Sequence, residues 1–260
     1  MPIGECGMTH TRQLPTSPVG KGLATLAYLM REPARGLRTL TRTLASAYRE
    51  RVAAESPIPE VALGDLVPAT TEARLLDCAG RDGNVSLQEL LTIATLVAAR
   101  APRRLLEIGT FDGNTTLQMA HNSPADARVF TLDLPPDPSA AHGHLEAADV
   151  AYITDAGKQA RKYARHPVGA KVTQWLGDSA TFDLTTAGGA FDFAFIDGSH
   201  SYDYVRSDTE RVLPLMAPGG VVLWHDYTPA WPCVIRYLDA RAHGLGLRRI
   251  AGTTLVCRVG

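Results

Sequence analysis

The sequence has few cysteines and no long apolar run. Its 260 residues contain four cysteines, which are scattered and include no Cys-x-x-Cys pair, so neither a zinc knuckle nor a redox dithiol is indicated. No stretch approaches the ~20 uninterrupted apolar residues of a membrane-spanning helix. Residues 1–12 also lack the apolar centre of a secretion signal. We therefore expect a soluble, cytoplasmic protein with no transmembrane segment.

The chain also lacks a charge excess of either sign. It has 26 Lys and Arg against 27 Asp and Glu, a formal net charge of −1. Sequence-independent binding to nucleic acid depends on a positive electrostatic field, which this balance does not provide. The composition, with 45% hydrophobic and 20% charged residues, is that of an ordinary globular protein. We therefore expect no nucleic-acid partner.

The hydrophobic pattern changes near residue 65. In residues 21–52, apolar side chains recur every three or four positions, which predicts amphipathic helices with a basic polar face. Such helices can pack on the domain, join two copies into a homo-oligomer, or lie on a membrane surface. A proline-containing linker follows. We predict an N-terminal arm with amphipathic helices over residues 1–64 and a single domain over residues 65–260.

The second part alternates short apolar runs with helical segments. Ser86 and Glu89 form the pattern of a capping box and predict a helix through about Arg100. Buried strands are predicted at residues 104–108, 129–132, 172–176, 191–196 and 221–224. The last two runs, 247–250 and 254–258, are close enough for a hairpin but not for a helical crossover. The predicted fold is α/β, a doubly wound and mostly parallel sheet with an antiparallel last strand and an N-terminal helical extension.

The strongest motif is an apolar strand that runs through a glycine-bearing turn into a helix, at residues 105–116. Gly109 permits a tight turn and the close approach of a ligand, and Gly113 lets the helix start close to the sheet. The spacing E-x-G-x-x-x-G differs from the dinucleotide fingerprint G-x-G-x-x-G, which disfavours a nicotinamide oxidoreductase. Glu107 would repel a pyrophosphate and attract a cationic head such as a sulfonium with its amino group.

Two further acidic residues follow predicted strands. Asp133 can accept hydrogen bonds from both ribose hydroxyls of a nucleoside. Asp178, in the run Gly-Asp-Ser, can accept a hydrogen bond from an adenine amino group. Alternatively, it can cap the next helix. Acidic residues after three strands of one sheet favour a nucleoside ligand with a cationic head.

Two carboxylates and an imidazole follow two strands that are neighbours in a doubly wound sheet. Asp197 ends one strand, and His225 and Asp226 end the other, about 4.8 Å away. Carboxylates held this close are unfavourable unless a proton or a cation lies between them. We predict that Asp197, His225 and Asp226 bind Mg²⁺ or Mn²⁺, with His225 alternatively orienting Asp226.

Together these motifs resemble the class I S-adenosylmethionine-dependent methyltransferases of the family-24 type, from residue 86 to residue 260. The resemblance implies S-adenosylmethionine as cofactor, with its methionine part at the first turn, its ribose at Asp133 and its adenine near Asp178 and Ser179. The implied cofactor-binding residues are Glu107, Gly109, Thr110, Gly113, Thr115, Asp133, Asp178 and Ser179. The resemblance does not cover residues 1–60 or an insertion at about 135–170, which we expect to fold over the substrate.

The run Asp-Gly-Ser-His-Ser-Tyr at residues 197–202 resembles a motif of metal-dependent sugar O-methyltransferases, in which the histidine is the general base. The resemblance implies His200 and Asp197 as catalytic residues. His225-Asp226 departs from the usual acidic pair, which leaves the identity and presence of the metal open.

We predict a metal-assisted O-methyltransferase for a small hydroxylated acceptor, such as a sugar on a natural product or glycan. The alternatives are a metal-independent enzyme, a catechol-type acceptor and a non-catalytic S-adenosylmethionine-binding partner subunit.

Overall fold

The computed structural model describes residues 55–156 and 160–260. Residues from Glu55 onwards form one compact unit built on a sheet of eight strands. These are β1 (Glu60–Val61), β2 (Arg104–Ile108), β3 (Arg128–Asp133), β4 (Val172–Leu176), β5 (Phe191–Ile196), β6 (Met216–Trp224), β7 (Arg248–Ile250) and β8 (Val256–Val259). The predicted amphipathic helices, and the homo-oligomer that they can form, lie outside the described residues.

The strand order is β1-β7-β8-β6-β5-β2-β3-β4. Strands β4, β3, β2, β5 and β6 are parallel to their neighbours, and β8 is antiparallel to both β6 and β7. This arrangement confirms the predicted mostly parallel sheet with an antiparallel last strand. Its parallel part places the carboxyl ends of five strands along one edge.

Strand β1 lies before the domain boundary predicted at residue 65. It pairs in parallel with β7 through Glu60 opposite Arg249 and Val61 opposite Ile250. Two residues are too short to show an alternating pattern, and prolines precede them, so the sequence indicated only a linker here. The sheet therefore includes residues that the hydrophobic pattern assigned to the N-terminal arm.

Helices connect the strands on both faces of the sheet. They are α1 (Leu63–Leu66), α2 (Leu87–Arg100), α3 (Asn114–Asn122), α4 (Ala147–Ala156), α5 (Tyr202–Val212) and α6 (Pro232–Leu245). Helix α2 begins at the predicted capping box, because the Ser86 side chain accepts from the Glu89 amide while the Glu89 carboxylate accepts from the Ser86 amide. It ends at Ala101, whose left-handed backbone (φ 46°) precedes a proline.

Two apolar layers sandwich the sheet. Successive residues of a strand point to opposite faces, so Leu105 packs with Ile93 and Met119 of helices α2 and α3, while Leu106 belongs to the layer that contains Leu238 of helix α6. Strands β2, β3 and β5 are buried on both faces, as predicted. The prediction of a buried strand at residues 172–176 is wrong, because β4 lies at the edge of the sheet and none of its residues is buried. This double layer fixes the positions of the strand ends.

The chain crosses from β3 to the neighbouring parallel strand β4 through residues 134–171. This insertion contains helix α4 and three short 3₁₀ turns, Pro138–Ala140, Lys162–Arg165 and Pro167–Lys171. The insertion is longer than the usual connection between neighbouring strands.

Within the described ranges, the structure contains no helix that is both long and apolar enough to span a membrane.

Candidate active site

A cavity of about 280 Å³ opens at the carboxyl ends of strands β2 to β6, where ligands bind in open α/β sheets. The predicted site residues that line it are Gly109, Asp133, Asp178, Ser179, Asp197, His200, His225 and Asp226. Four other predicted residues, Glu107, Thr110, Gly113 and Thr115, are not part of its lining. The structure thus brings together the ends of five strands in one cavity.

Glu107 lies beneath the first turn, with 0% of its surface exposed. Its Oε2 accepts hydrogen bonds from the hydroxyls of Thr116 and Thr131, and the Thr131 hydroxyl lies 2.6 Å from that of Thr110. Burial raises the pKa of Glu107 to about 8, although the two hydroxyls oppose this shift. Its Oε1 has no hydrogen-bond partner among the described residues. Glu107 therefore stabilises the turn through buried hydrogen bonds. Its contact with the cofactor stays a prediction.

Both predicted glycines of the turn have left-handed backbones. Gly109 has φ +94°, and a Cβ there would lie 1.9 Å from the carbonyl oxygen of Asp197, so this turn packs directly on the end of β5. Gly113 has φ +77°, and its Cβ would meet the ring of Tyr163 at 2.7 Å. The tight contact at Gly113 is with the insertion, and its role in bringing the helix close to the sheet stays a prediction.

Asp133 ends strand β3 and is held by an arginine of the insertion. The Arg161 guanidinium donates to Asp133 Oδ2 at 3.2 Å. Burial raises the pKa of Asp133 to about 6, and the charge of Arg161 limits this increase. The sequence did not predict that Arg161 contacts Asp133. Arg161 belongs to the insertion, which contains no predicted strand and therefore has no predicted position relative to the sheet. The pairing leaves Asp133 Oδ1 free of this guanidinium.

Asp178, after strand β4, accepts hydrogen bonds on both oxygens. Oδ2 accepts from the backbone amide of His142 at 2.6 Å and from the Tyr204 hydroxyl at 3.0 Å, and Oδ1 accepts from the Ala180 amide at 2.9 Å. Burial opposes its charge, but the amides of His142 and Ala180 hold the pKa of Asp178 below its usual value. The alternative role of Asp178 as the cap of the next helix is wrong, because a turn and not a helix follows it. The carboxylate binds an amide of that turn and also lines the cavity.

Asp197, His225 and Asp226 meet at the ends of β5 and β6. Each offers one ligand atom, and these atoms lie within 4.8 Å of one another. His225 Nδ1 lies 2.9 Å from Asp197 Oδ1 and 3.1 Å from Asp226 Oδ2. Asp226 also has a left-handed backbone (φ 62°), a strained conformation that is common at functional sites. Two carboxylate oxygens and one imidazole nitrogen suit Mn²⁺ and are compatible with Mg²⁺.

The charges of these three residues depend on one another. Burial raises the pKa of Asp197, whereas the neighbouring His225 lowers it. Burial lowers the pKa of His225, but Asp197 and Asp226 outweigh this effect and raise it well above its usual value. The raised pKa of His225 favours its protonated form, whose charge compensates the two carboxylates. A divalent cation can take the place of this charge because it provides the same compensation.

His200 bridges two carboxylates. Its Nδ1 lies 2.5 Å from Asp149 Oδ1 and its Nε2 lies 2.7 Å from Asp226 Oδ2. The ring stacks on Trp231, with centroids 3.6 Å apart and planes at 15°. Burial opposes its charge, but the hydrogen bonds to Asp149 and Asp226 raise the pKa of His200 to about 9. The side chain therefore lies within the acidic cluster, in contact with its carboxylates.

Glu89 connects the capping box of helix α2 to the site. Its Oε2 lies 3.5 Å from Nε2 of His225, and its Oε1 accepts from the amide and the hydroxyl of Thr254, each at 2.8 Å. Histidines that bind metals commonly have their second ring nitrogen oriented by a carboxylate. Sequence reasoning identified Glu89 only as a helix cap, because nothing in the pattern places it beside His225.

Sequence reasoning also missed Asp149 and Trp231. Trp231 carried a signal, since a large aromatic residue between Pro229 and Pro232 follows a strand at the predicted ligand edge. Asp149 carried none, because it belongs to an insertion with no predicted position relative to the sheet. Both side chains contact His200.

Comparisons with known proteins agree with this architecture. The family model of methyltransferase family 24, described as a methyltransferase domain, matches residues 106–227. Cofactor-bound Rv0187 from MTB has 22% sequence identity and a TM-score of 0.50, over 70% of this chain and 84% of that one. The SAH-bound methyltransferase PaMTH1 of Podospora anserina has 19% identity and a TM-score of 0.51, over 69% and 81%. A comparison with curated proteins finds no match.

The family match covers the part of the chain that forms the cavity floor, from strand β2 to the residue after Asp226. The similar structures share the fold of this chain. Their sequence identities are too low to support any statement beyond the fold. The mostly parallel sheet with its antiparallel last strand agrees with the fold of these similar structures. Residues 106–227 therefore match a methyltransferase domain, and this part of the chain is similar to the S-adenosylmethionine-dependent methyltransferases.

Proposed function

We propose that this methyltransferase acts on a hydroxyl of a small polyol-like acceptor, such as a sugar on a natural product or glycan, with the assistance of a divalent cation. One observation carries the proposal. Asp197, His225 and Asp226 converge beside His200 in the cavity that Gly109 also lines. A hydroxyl is poorly acidic, so methyl transfer to it is assisted by a cation that lowers its pKa and by a base that removes its proton. The candidate cation site and the candidate base lie next to the proposed methyl-donor site.

The roles of the residues follow from their positions. S-adenosylmethionine supplies a methyl group on a sulfonium sulfur, and a cation at Asp197, His225 and Asp226 supplies positive charge that lowers the pKa of an acceptor hydroxyl. His200 is the proposed base and takes the hydroxyl proton at Nε2. The carbon–oxygen bond forms as the carbon–sulfur bond breaks, and the electron pair stays on sulfur. Holding the groups in line contributes much of the rate.

A catechol-type acceptor is the second candidate. Trp231 and Tyr152 line the cavity, and their faces can stack on an aromatic ring that offers adjacent hydroxyls. The test uses two probes, methyl α-glucopyranoside and catechol, with S-adenosylmethionine and Mg²⁺. Mass spectrometry detects products heavier by one methyl group. Methylation of the glycoside supports the proposal, and methylation of catechol alone supports the second candidate.

Metal independence is the remaining alternative for the enzyme, and the imidazole–carboxylate contacts of His225 favour it. The same assay with metal-free protein in excess EDTA distinguishes the two cases. Product formation at the full rate in EDTA would show that the cation is not needed. The cytoplasmic location and the homo-oligomer through residues 1–64 also stay predictions.

The Asp133→Ala variant is expected to bind S-adenosylhomocysteine about 10-fold or more weakly than the parent. A hydrogen bond to a charged group contributes about 1.5–3 kcal/mol, and 1.4 kcal/mol corresponds to a factor of ten. Calorimetry measures the affinity. The control is Asp126→Ala, an exposed acid that contacts Arg103. Equal affinities for the parent and both variants would exclude Asp133 from the cofactor site.

The His200→Ala variant is expected to lower kcat by about 10²–10⁴, the usual contribution of a positioned base. Its affinity for S-adenosylhomocysteine should change less than about twofold, since a base contributes to the transition state rather than to binding. The control is His243→Ala, on the exposed side of helix α6. A variant that retains the parent kcat when chemistry is rate-limiting would show that His200 is not the base.

A further inference from the structure

Asp149, on helix α4 of the insertion, binds the loop that carries His200. Its Oδ2 accepts from the Ser199 hydroxyl at 2.6 Å and from the His200 amide at 3.1 Å, and its Oδ1 lies 2.5 Å from Nδ1 of the His200 ring. Asp149 is only 4% exposed. These contacts join residues 50 and 51 positions apart in the chain, so the insertion and the candidate base form one hydrogen-bonded unit.

We propose that Asp149 is the positioning residue that keeps the proton of the neutral His200 ring on Nδ1 and leaves the lone pair on Nε2. The inference rests on the proposed function, in which His200 is the base. A carboxylate can only accept hydrogen bonds, so its partner at Nδ1 must be an N–H. Without a cation the same rule applies to Nε2, which faces Asp226. The histidine tautomer is set by the hydrogen bond that the other ring nitrogen makes.

A second carboxylate competes for the same proton. Asp226 Oδ2 lies 2.7 Å from Nε2 of His200, but it is also 3.1 Å from Nδ1 of His225. Asp226 belongs to the group of three residues that can hold a cation, whereas Asp149 lies outside that group. A cation held by this group would engage the Asp226 carboxylate, so that Nε2 could release its proton while Asp149 remained the partner that orients the ring.

Two contacts together fix the orientation of the His200 ring. Stacking on Trp231 at 3.6 Å sets the plane of the ring, and the bond from Nδ1 to Asp149 sets its rotation within that plane. Helix α4 also supplies Tyr152 and Ile153 to the cavity wall. The same helix therefore shapes the cavity and orients the base, so the geometry of proton transfer depends on the insertion.

Asp149 also has a local contact that a purely structural role would explain. Its Oδ2 lies 3.3 Å from the backbone amide of Glu146, near the start of helix α4. Asp149→Asn separates the two roles. The amide oxygen of Asn can take the place of Oδ2 and keep the Glu146 amide, the His200 amide and the Ser199 hydroxyl. The amide NH₂ then faces Nδ1 of His200 and donates to it, which moves the ring proton to Nε2.

The first test measures the ring proton directly. Nitrogen-15 NMR of histidine-labelled protein is recorded with Mg²⁺, at a pH where the ring is neutral, and the His200 signals are assigned by their loss in His200→Ala. We expect the proton on Nδ1 in the parent and on Nε2 in Asp149→Asn. A parent ring protonated on Nε2, or a variant with unchanged protonation, would overturn the proposal whether or not methyl transfer is detected.

The second test measures methyl transfer to whichever probe acceptor is methylated. Asp149→Asn should lower kcat by about 10²–10⁴, as the wrong tautomer does in other histidine-dependent enzymes, while the acceptor KM and the melting temperature change little. Asp149→Asn should cause no further loss in a His200→Ala background, because residues that act as a unit are not additive. The matched control is Glu146→Gln on the same segment, which should keep the parent kcat.

The outcomes separate the inference from the proposed function. If His200→Ala lowers kcat and Asp149→Asn does not, the proposed base stands and the positioning role is wrong. If neither variant lowers kcat, the proposed base itself is wrong. If Asp149→Asn lowers the melting temperature and the cofactor affinity in parallel with kcat while the ring proton stays on Nδ1, Asp149 is structural and the proposal is overturned.

Discussion

Replacing Asp197 or Asp226 by Asn is expected to lower methyl transfer by about 10²–10⁴-fold, even at high Mg²⁺ or Mn²⁺. A bound cation contributes several kcal/mol to the transition state of such reactions, and each 1.4 kcal/mol corresponds to a factor of ten in rate. Each substitution removes one of the two anionic oxygens that lie within 4.8 Å of the His225 ring nitrogen. The neutral amide that replaces it attracts a cation much less strongly.

Two measurements check this prediction. Rates are measured as a function of added Mg²⁺ after chelation, and Mn²⁺ binding is measured by electron paramagnetic resonance, which does not depend on turnover. The control is Asp203→Asn, a carboxylate with 68% of its side chain exposed that should keep both properties. Binding of Mn²⁺ to Asp197→Asn with the affinity of the parent would show that the cation lies elsewhere.

Replacing Gly109 by Ala is expected to cause the largest loss of stability among the variants considered. The backbone angle of +94° is unfavourable for any residue with a Cβ and costs about 1–3 kcal/mol. In addition, the new Cβ would lie 1.9 Å from the carbonyl oxygen of Asp197. That oxygen belongs to the backbone at the end of β5, which cannot move without displacing the Asp197 side chain.

Gly219 provides a control that separates the two costs. Its φ is +78°, similar to that of Gly109, and a Cβ there has no atom within 4 Å. Gly219→Ala should therefore cost only the backbone term. Urea unfolding gives the free energies, and calorimetry gives the affinity for S-adenosylhomocysteine, which should fall in Gly109→Ala only. Equal losses of stability in both variants would show that the contact with Asp197 is relieved at little cost.

The sequence predicted the sheet and the residues at its strand ends because both leave local patterns. Strand β5 is apolar except for Asp192 and is followed directly by Asp197, and β3 is a largely apolar strand that ends at Asp133. Once the strands are known to be parallel, the carboxyl ends must share one edge. The position of the candidate site follows from this without any knowledge of side-chain contacts.

The partners of these residues were not predictable in the same way. Arg161 and Asp149 reach Asp133 and His200 from an insertion whose path over the sheet has no periodic signal. The orientation of Glu107 was also not predictable from the sequence. The motif predicts the turn but does not indicate on which face of the strand the carboxylate lies. The side chain points into the buried layer against Thr116 and Thr131, where it supports the turn.

The position of Glu89 has a consequence for how this enzyme can evolve. One carboxylate begins helix α2 through Ser86, ties down the segment around Thr254 and faces His225. A substitution of Glu89 therefore changes the stability of the fold and the surroundings of His225 together. Selection for greater thermal stability and selection for a new acceptor substrate thus act on the same residue. Adaptive change is easier in the insertion, where cavity-lining residues such as Tyr152 and Ile153 lie outside the sheet.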